Sequence, residues 1–445
     1  MSSPFFAHRQ ARLNCLRIVS RTALVFLLFA SGIEAIAAPQ PLTLGQAQQQ
    51  AVTRSRQLTA QDLAVAGSRE MAVAAGQLPD PVLKAGIDNL PVSGPDRFSL
   101  SNDFMTMRRI GISQELTRAD KRQWRSARFE GEALKSEAQK DVALAAIQRD
   151  TAVAWLERYY VEQMAVLIAA QADQVRQEIE AAEAAYRGGR GNQADILAAR
   201  SALLLLDDRT SEIDRRRQVA QTMLARWIGA SGELALAGTP DIDHIRLDPA
   251  TLDTDLTHHP QIAVLNRQED IAQAEANLAR ANRRSDWSVE VAFQQRGPAY
   301  SNMVSVGISV PLQWDRKNRQ DRELTSKLAM VEQTTAERDE MLREHIAETR
   351  AMIVEWQSGR ERVSRYVREL IPLAGERTQA LLAAYRGGKA SLTEVLAARR
   401  SETEMRIQAI QLQMDTARLW AQLNFLFPDD GHGLHSAIKT NKDSK

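Results

Sequence analysis

The sequence is poor in cysteine and in aromatic residues, and each shortage argues against a class of protein. Cys15 is the only cysteine among 445 residues, so a disulfide framework and a multi-cysteine metal site are excluded. Aromatic residues make up 5% of the chain, whereas alanine, glutamine, arginine, glutamate and leucine dominate. This composition favours long helices and coiled coils over a sandwich or a doubly wound sheet.

Long apolar runs are also missing after the first forty residues. No segment there has the roughly 18 consecutive apolar residues that mark a membrane-spanning helix. The mature chain is therefore either soluble or crosses a membrane as β-strands, whose signal in a sequence is weak.

The first 37 residues are typical of a secretory signal peptide. Four arginines at positions 9, 12, 17 and 21 precede an apolar stretch over 22–33, and Ala35 and Ala37 are small enough for signal peptidase. The stretch has about 12 residues, too few for a membrane anchor of ~20. Because this leader contributes +3 to the formal charge of +1, cleavage after Ala37 leaves about −2, which argues against nucleic-acid binding.

The remaining chain is an internal duplication. Ala-Tyr-Arg-Gly-Gly at 185–189, followed by Asp-Ile-Leu-Ala-Ala-Arg at 195–200, recurs 199 residues later as Ala-Tyr-Arg-Gly-Gly and Glu-Val-Leu-Ala-Ala-Arg. The segment 109–113 resembles 305–309, an offset of 196, and Asp80 matches Asp286, an offset of 206. Self-similarity at a period of about 200 residues predicts two halves with similar structures.

Both halves have the same predicted layout, which is mainly α with a small β part. Each contains a helix, two short strands, a very long helix, a glycine turn and a return helix. Ten-residue alternation in the strands fits either a membrane-barrel strand or a soluble hairpin. A helix of about 65 residues spans roughly 100 Å, more than any compact domain, so these helices need neighbours along their length. The predicted helices are 44–76, 120–186, 194–227, 252–284, 317–385 and 392–425, and the strands are 82–88, 107–116, 288–293 and 303–312.

The domain boundaries follow from this layout. We predict a signal peptide over 1–37, a first repeat over 38–228, an inter-repeat equatorial segment over 229–250, a second repeat over 251–428 and a flexible periplasmic tail over 429–445.

Two helix–hairpin–helix halves tipped by Tyr-Arg-Gly-Gly resemble the TolC family of outer-membrane efflux proteins, over almost the whole chain from Leu42 to Phe427. Leu-Pro-Asp-Pro at 78–81, Asp-Asn-Leu-Pro at 88–91 and the segment 104–109 are similar to the heavy-metal branch, which serves cobalt–zinc–cadmium or copper–silver exporters.

The resemblance implies an exit duct in the outer membrane of a Gram-negative bacterium, with a long periplasmic part. Three copies would form a helical barrel and, with four strands each, a twelve-stranded β-barrel in outer-membrane lipid. A periplasmic adaptor and an inner-membrane pump of the resistance–nodulation–division type would be the partners. Conduction would be passive, so neither a cofactor nor a catalytic residue is expected.

The resemblance also implies a gate at the helical tips. Tyr385 would donate a hydrogen bond to Asp195, and Glu394 would form a ring of carboxylates that favours cations. A gate arginine of the family falls on Ala390 and a second ring acid on Ala397, so part of the pattern is missing, unless Lys389 or Arg190 replaces the arginine. Alternatively, these residues only shape the turns. The tip turns that would meet the adaptor are Tyr186, Arg187, Gly188, Gly189, Arg386, Gly387, Gly388 and Lys389.

Catalytic and metal-binding motifs are missing from the sequence, so we do not expect an enzyme. His258 and His259 are adjacent and cannot share one helix face, and His432 and His435 lie in the predicted tail. Met105 and Met107 could contact Cu(I) or Ag(I) but fit a barrel wall better. The alternatives are a drug duct or a type I protein secretion duct of the same family, or a soluble periplasmic coiled-coil adaptor.

Overall fold

The computed structural model describes residues 41–189, 191–229 and 235–429. The predicted leader over 1–37, Arg190, and the predicted tail from residue 430 onward, with His432 and His435, lie outside these ranges. The strands are β1 (Val82–Asp88), β2 (Met107–Leu116), β3 (Trp287–Gln295) and β4 (Met303–Ser309). The helices are α1 (Leu44–Arg54), α2 (Arg56–Ala75), α3 (Ala119–Arg187), α4 (Gln193–Ile228), α5 (Leu252–Asp255), α6 (Pro260–Ala281), α7 (Gln320–Arg365), α8 (Ile371–Arg386) and α9 (Leu392–Asn424).

Each half begins with an interrupted helix, so the prediction of continuous helices over 44–76 and 252–284 is wrong. The hydroxyl of Ser55 accepts a hydrogen bond from the N–H of Leu58 at 3.2 Å and caps α2, which therefore starts anew. In the second half, α5 and a 3₁₀ turn precede Pro260, the first residue of α6. Proline is common at the first position of a helix, because an N–H group there would have no intrahelical acceptor.

The four strands form one antiparallel sheet in the order β1-β2-β3-β4. Because side chains alternate across a strand, the register places apolar residues on one face and polar residues on the other. The apolar face is exposed over all four strands of the chain, at Leu83, Ile87, Ile110, Ile112, Val291, Phe293, Val304, Val306 and Ile308. Such a continuous exposed apolar surface marks a membrane or protein contact.

The core follows α3, a helix of 69 residues that spans about 100 Å. Buried clusters succeed one another along its length where α1, α4 and α9 pack against it. Fully buried Trp155 holds the segment just before α1, since its indole N–H donates to the carbonyl of Leu42 at 3.0 Å. None of the helices in the described ranges combines the length and the apolar content that a membrane span requires.

The two halves differ in their long helices. The first is continuous, whereas the second is divided into α7 and α8 by a π-helical turn over Tyr366–Leu370. Pro372 lies two residues after the end of this turn and has no N–H to donate to it. The prediction of one helix over 317–385 is therefore wrong in its continuity, and its start lies at Gln320.

Indole groups hold the segment between the halves. Trp356 donates to the carbonyl of Ile242 at 3.1 Å, and Trp420 donates to the carbonyl of His244 at 2.8 Å. Residues 235–250 are thus fixed against α7 and α9, although they form little regular structure.

Candidate functional site

The two duplicated motifs form two helical turns with the same backbone geometry. Gly188 and Gly387 follow the last residues of α3 and α8 with φ of −82° and −85°. Gly189 and Gly388 then adopt φ of +72° and +73°, the left-handed region that glycine enters without strain. Their N–H groups donate to the carbonyls of the motif tyrosines, Tyr186 at 3.0 Å and Tyr385 at 2.9 Å. The second glycine of each pair therefore reverses the chain.

A side-chain cap starts each return helix. Asn192 accepts a hydrogen bond from the N–H of Asp195 at 2.8 Å, and Ser391 accepts one from the N–H of Glu394 at 3.3 Å. The Glu394 carboxylate accepts two bonds in return, from the N–H of Ser391 at 2.7 Å and from its hydroxyl at 2.9 Å. These donors, the N–H first, hold the pKa of Glu394 below its ordinary value. The side chain predicted to form a constriction ring thus caps its own helix.

Tyr385 and Asp195 lie close together without a hydrogen bond between them in the described ranges. Tyr385 is half-buried against the apolar cluster that contains Ile196 and Leu396. Burial first, and then the charges of Asp195 and Glu178, raise the pKa of the Tyr385 phenol. The phenol therefore stays protonated at neutral pH and remains a potential donor to Asp195.

A buried ion pair near the turns joins the two hairpins, and the sequence did not predict it. Arg399 on α9 contacts Glu178 on α3 at 2.5 Å, with side chains only 17% and 11% exposed. Arg399 also donates to Gln174 at 2.8 Å. Burial raises the pKa of Glu178, and the charge of Arg399 opposes this shift. The duplicated motif ends in an arginine in both halves, and this repeated arginine is the one feature of the sequence that could have pointed to the pair. No pattern indicates its acidic partner.

A groove of about 550 Å³ lies between α4 and α9 beside this ion pair. Its walls carry the apolar side chains of Leu205 and Leu396 and the charged side chains of Arg209, Arg400 and Glu404.

Arg187, Arg386 and Lys389 are exposed at the two turns, and in the described part of the chain none of them forms an ion pair. The positive charges of these three side chains are thus accessible at the turns.

A second charged cluster lies on the polar face of the sheet, and no pattern in the sequence indicated it. Lys84 contacts Glu290 at 2.6 Å, and Arg109 contacts both Glu290 and, at 3.9 Å, Asp88. Lys84 lies on β1 and Glu290 on β3, so the contact crosses Gly111 of β2, where a Cβ atom would lie 2.8 Å from the Cβ of Ala292. Alternation along a strand predicts which face of the sheet each residue occupies. It does not predict which charged residues of neighbouring strands contact each other.

His259 packs against the rings of two other side chains. His259 is buried and its ring lies 4.5 Å from that of His345 and 5.7 Å from that of Phe427, centroid to centroid. Across the described residues, no group of three or more His, Cys, Asp or Glu side chains is arranged to hold a metal ion. Met107 is the first residue of β2, and Met105 precedes it by two residues.

Two helical hairpins, each with a long arm of about 100 Å, are joined to a four-stranded sheet with an exposed apolar face. The structure of the outer-membrane channel OprN matches this chain with a TM-score of 0.73 and 15% identity, over 86% of this chain and 90% of OprN. CusC matches with a TM-score of 0.73 and 17% identity, over 87% of this chain and 92% of CusC. The predicted fold class and resemblance are confirmed, because the chain has the fold of the TolC-type outer-membrane channels.

One curated relative is similar in sequence. The cobalt-zinc-cadmium resistance protein CzcC of Cupriavidus metallidurans is 24% identical over 277 residues, which are 60% of this chain. The match spans 64% of CzcC, less than two thirds of its length. No family model matches the chain.

Proposed function

We propose that this protein is the outer-membrane exit duct of an efflux system, a passive channel and not an enzyme. The observation that carries this proposal is the exposed apolar face of the sheet, above helices long enough to reach across a periplasm. A water-exposed apolar surface of this extent is costly, whereas lipid would cover it without cost. The fold shared with OprN and CusC supports the same function.

The working form in this proposal is a homotrimer. The outer edges of β1 and β4 have unpaired backbone groups within the described sheet, and such edges are not tolerated in hydrocarbon. Three copies with four strands each close a ring of twelve. Exposed apolar residues on α4, on the π-helical turn and on α8, such as Leu197, Leu204, Val367 and Leu373, would be covered by the neighbouring copies.

The cargo in this proposal is heavy-metal cations, and the partners are a periplasmic adaptor and an inner-membrane pump of the resistance–nodulation–division type. The name of the relative CzcC supports the metal cargo. The adaptor would contact the exposed basic turns at Arg187, Arg386 and Lys389. Asp195, Tyr385 and Glu394 would form the gate at the same end. The division into repeats over 38–228 and 251–428 would place one hairpin in each.

A deletion strain tests the function. Growth is compared across copper, silver, zinc, cobalt and cadmium, with a drug panel alongside, and the intact gene is restored on a plasmid. We expect tolerance to one metal group to fall and to recover with the intact gene but not with a truncated one. Unchanged metal tolerance with new drug sensitivity would contradict the metal cargo. If neither changes, absence of conductance by the purified protein in a planar bilayer would contradict the duct itself.

A further inference from the structure

The chain contains an internal seam where its two halves meet. Strand β2 of the first half pairs with β3 of the second, with Ile110 opposite Phe293 and Ile112 opposite Val291. An ion pair fixes the same seam, because Asp286, just before β3, accepts from Lys121 at 2.7 Å. Asp286 also accepts from the N–H of Arg118 at 3.0 Å. Lys121 is buried, so this contact is shielded from water.

The duplication places the counterparts of this seam at the two outer edges of the sheet. Strand β4 corresponds to β2 at an offset of 196, and β1 corresponds to β3 at an offset of 206. Among the described strands, β1 and β4 each have one neighbour, so their outer edges are unpaired. One chain therefore carries both halves of a second seam, at opposite edges.

The second seam also has the counterparts of the ion pair. Asp80 corresponds to Asp286, and Trp314 and Lys317 correspond to Arg118 and Lys121. Within the described ranges neither Asp80 nor Lys317 has a hydrogen-bond or ion-pair partner, although their counterparts are joined. Trp314 is 88% exposed, the highest value among the large hydrophobic residues of the described chain. These three residues are those that a neighbouring copy would cover.

We infer that β4 of one copy pairs with β1 of the next in the register of the internal seam, with Asp80 of that next copy bound to the N–H of residue 314 and to Lys317. This register places Ile308 opposite Ala85 of the neighbouring copy and Val306 opposite its Ile87. The inference rests on the proposed trimer and adds the residues that join its subunits.

The inferred register agrees with the pleat of the sheet. Ile308 and Val306 lie on the exposed apolar face of β4, and Ile87 lies on the same face of β1. A slip by one residue would bring the polar residues of one strand onto the apolar face of the other. A slip by two residues keeps the faces, so only a measurement of the register separates it from the inferred one.

Cysteine pairs measure this register. Directly opposed residues have Cα atoms about 4.5–5.5 Å apart, within the range of a disulfide, whereas residues displaced by two lie about 7–8 Å apart. The test variant is Ile308→Cys with Ala85→Cys, and its slipped control is Ile308→Cys with Leu83→Cys. A disulfide within one chain is excluded, because the outer strands of a four-stranded sheet lie about 14 Å apart.

The full-length protein is purified from membranes in detergent, oxidised and separated on a non-reducing gel. We expect covalent dimers and trimers from the opposed pair, at least tenfold more than from the slipped pair or from either single variant. The pair Val306→Cys with Ile87→Cys should cross-link as well, and it replaces the first pair if that variant does not fold.

Two results would overturn the inference, namely stronger cross-linking of the slipped pair and an absence of cross-links from both opposed pairs. Size-exclusion chromatography of the unoxidised samples then separates two failures. A trimer mass means that the register is wrong while the duct stands, whereas a monomer mass contradicts the proposed assembly too.

Discussion

At the residue scale, the gate hypothesis depends on what one phenol does. Tyr385 is half-buried beside Asp195, whereas its counterpart Tyr186 is exposed at the other turn. If the phenol bonds to the carboxylate in the closed duct, Tyr385→Phe removes a charge-assisted bond of about 1.5 kcal/mol. That loss corresponds to roughly a tenfold higher ratio of open to closed channels. We expect this rise in single-channel recordings, and Tyr186→Phe should leave the ratio unchanged. Equal effects of both variants would contradict a gate role for Tyr385.

The ion pair between Arg399 and Glu178 predicts a stability difference between two matched arginines. Arg399→Gln leaves a carboxylate buried without its cation, which costs about 3 kcal/mol. Its counterpart Arg200 pairs with Glu183 at 2.8 Å but is exposed, so Arg200→Gln should cost less than about 1 kcal/mol. Thermal unfolding followed by circular dichroism would show the larger decrease in Tm for Arg399→Gln. Equal decreases would show that the cross-hairpin pair contributes no more than a surface contact.

Burial of His259 predicts a pH-dependent stability. Burial, and then the charge of His345, lower the pKa of His259 to about 4. The folded state therefore holds the ring neutral where the unfolded chain, with a pKa near 6.5, binds a proton. Stability should be constant above about pH 6.5 and fall by up to ~3 kcal/mol as the pH falls to about 4.

His259→Asn should flatten this dependence, because asparagine can cap α6 but does not titrate. His258→Asn, at the exposed neighbouring residue, serves as the control. The measurement is the free energy of unfolding between pH 7 and pH 4, and an unchanged slope in His259→Asn would refute the assignment.

At the element scale, the π-helical turn predicts a local weakness in one hairpin only. The π turn interrupts the regular ladder of α-helical hydrogen bonds, and Pro372 leaves a carbonyl of the preceding turn without its N–H donor. We expect the amides of Tyr366–Leu370 to exchange hydrogen for deuterium about tenfold faster than those of 167–171, the matching turn of α3. Mass spectrometry of the purified protein compares the two segments under identical conditions. Equal protection would mean that the interruption does not loosen the second hairpin.

The elements that the sequence revealed are those with a strong local signal. Alternation gave β1 and β2 their observed bounds, and the repeated glycines gave both turns, because each of these features depends on neighbouring residues. The sequence does not reveal the break at Ser55, because serine also occurs inside helices. It caps a helix only where its backbone is extended, and the residue type alone does not show this. The π turn was missed for a similar reason, since helical periodicity continues through it while the backbone gains one residue.

The candidate site was predictable only in part. The motif positions of Tyr385 and Asp195 led to neighbouring side chains, but the capping of α9 by Glu394 follows from its spacing to Ser391 and was overlooked. The partner of Arg399 lies 221 residues away on another helix. A single sequence carries no signal for such a distant contact.

At the scale of the whole molecule, duplication allows one chain to specify its own assembly. The contacts that join the halves of one copy would join successive copies, so a ring needs only one kind of seam. The seam can be tested by its charges, because Asp80 and Lys317 would meet only across copies. Asp80→Lys would place two ammonium groups together, and Lys317→Glu would place two carboxylates together, so each should reduce the trimer fraction on size exclusion severalfold.

The double variant Asp80→Lys with Lys317→Glu restores opposite charges with their positions exchanged, so the trimer fraction should recover. Asp96→Lys, in the loop between β1 and β2, makes the same change of charge away from the seam and should leave the trimer intact. Losses that simply add in the double variant would show that the two residues do not meet. Recovery would mean that the ion pair of Lys121 and Asp286 inside the chain is repeated between copies, and that the trimer closes by the same contact that folds the monomer.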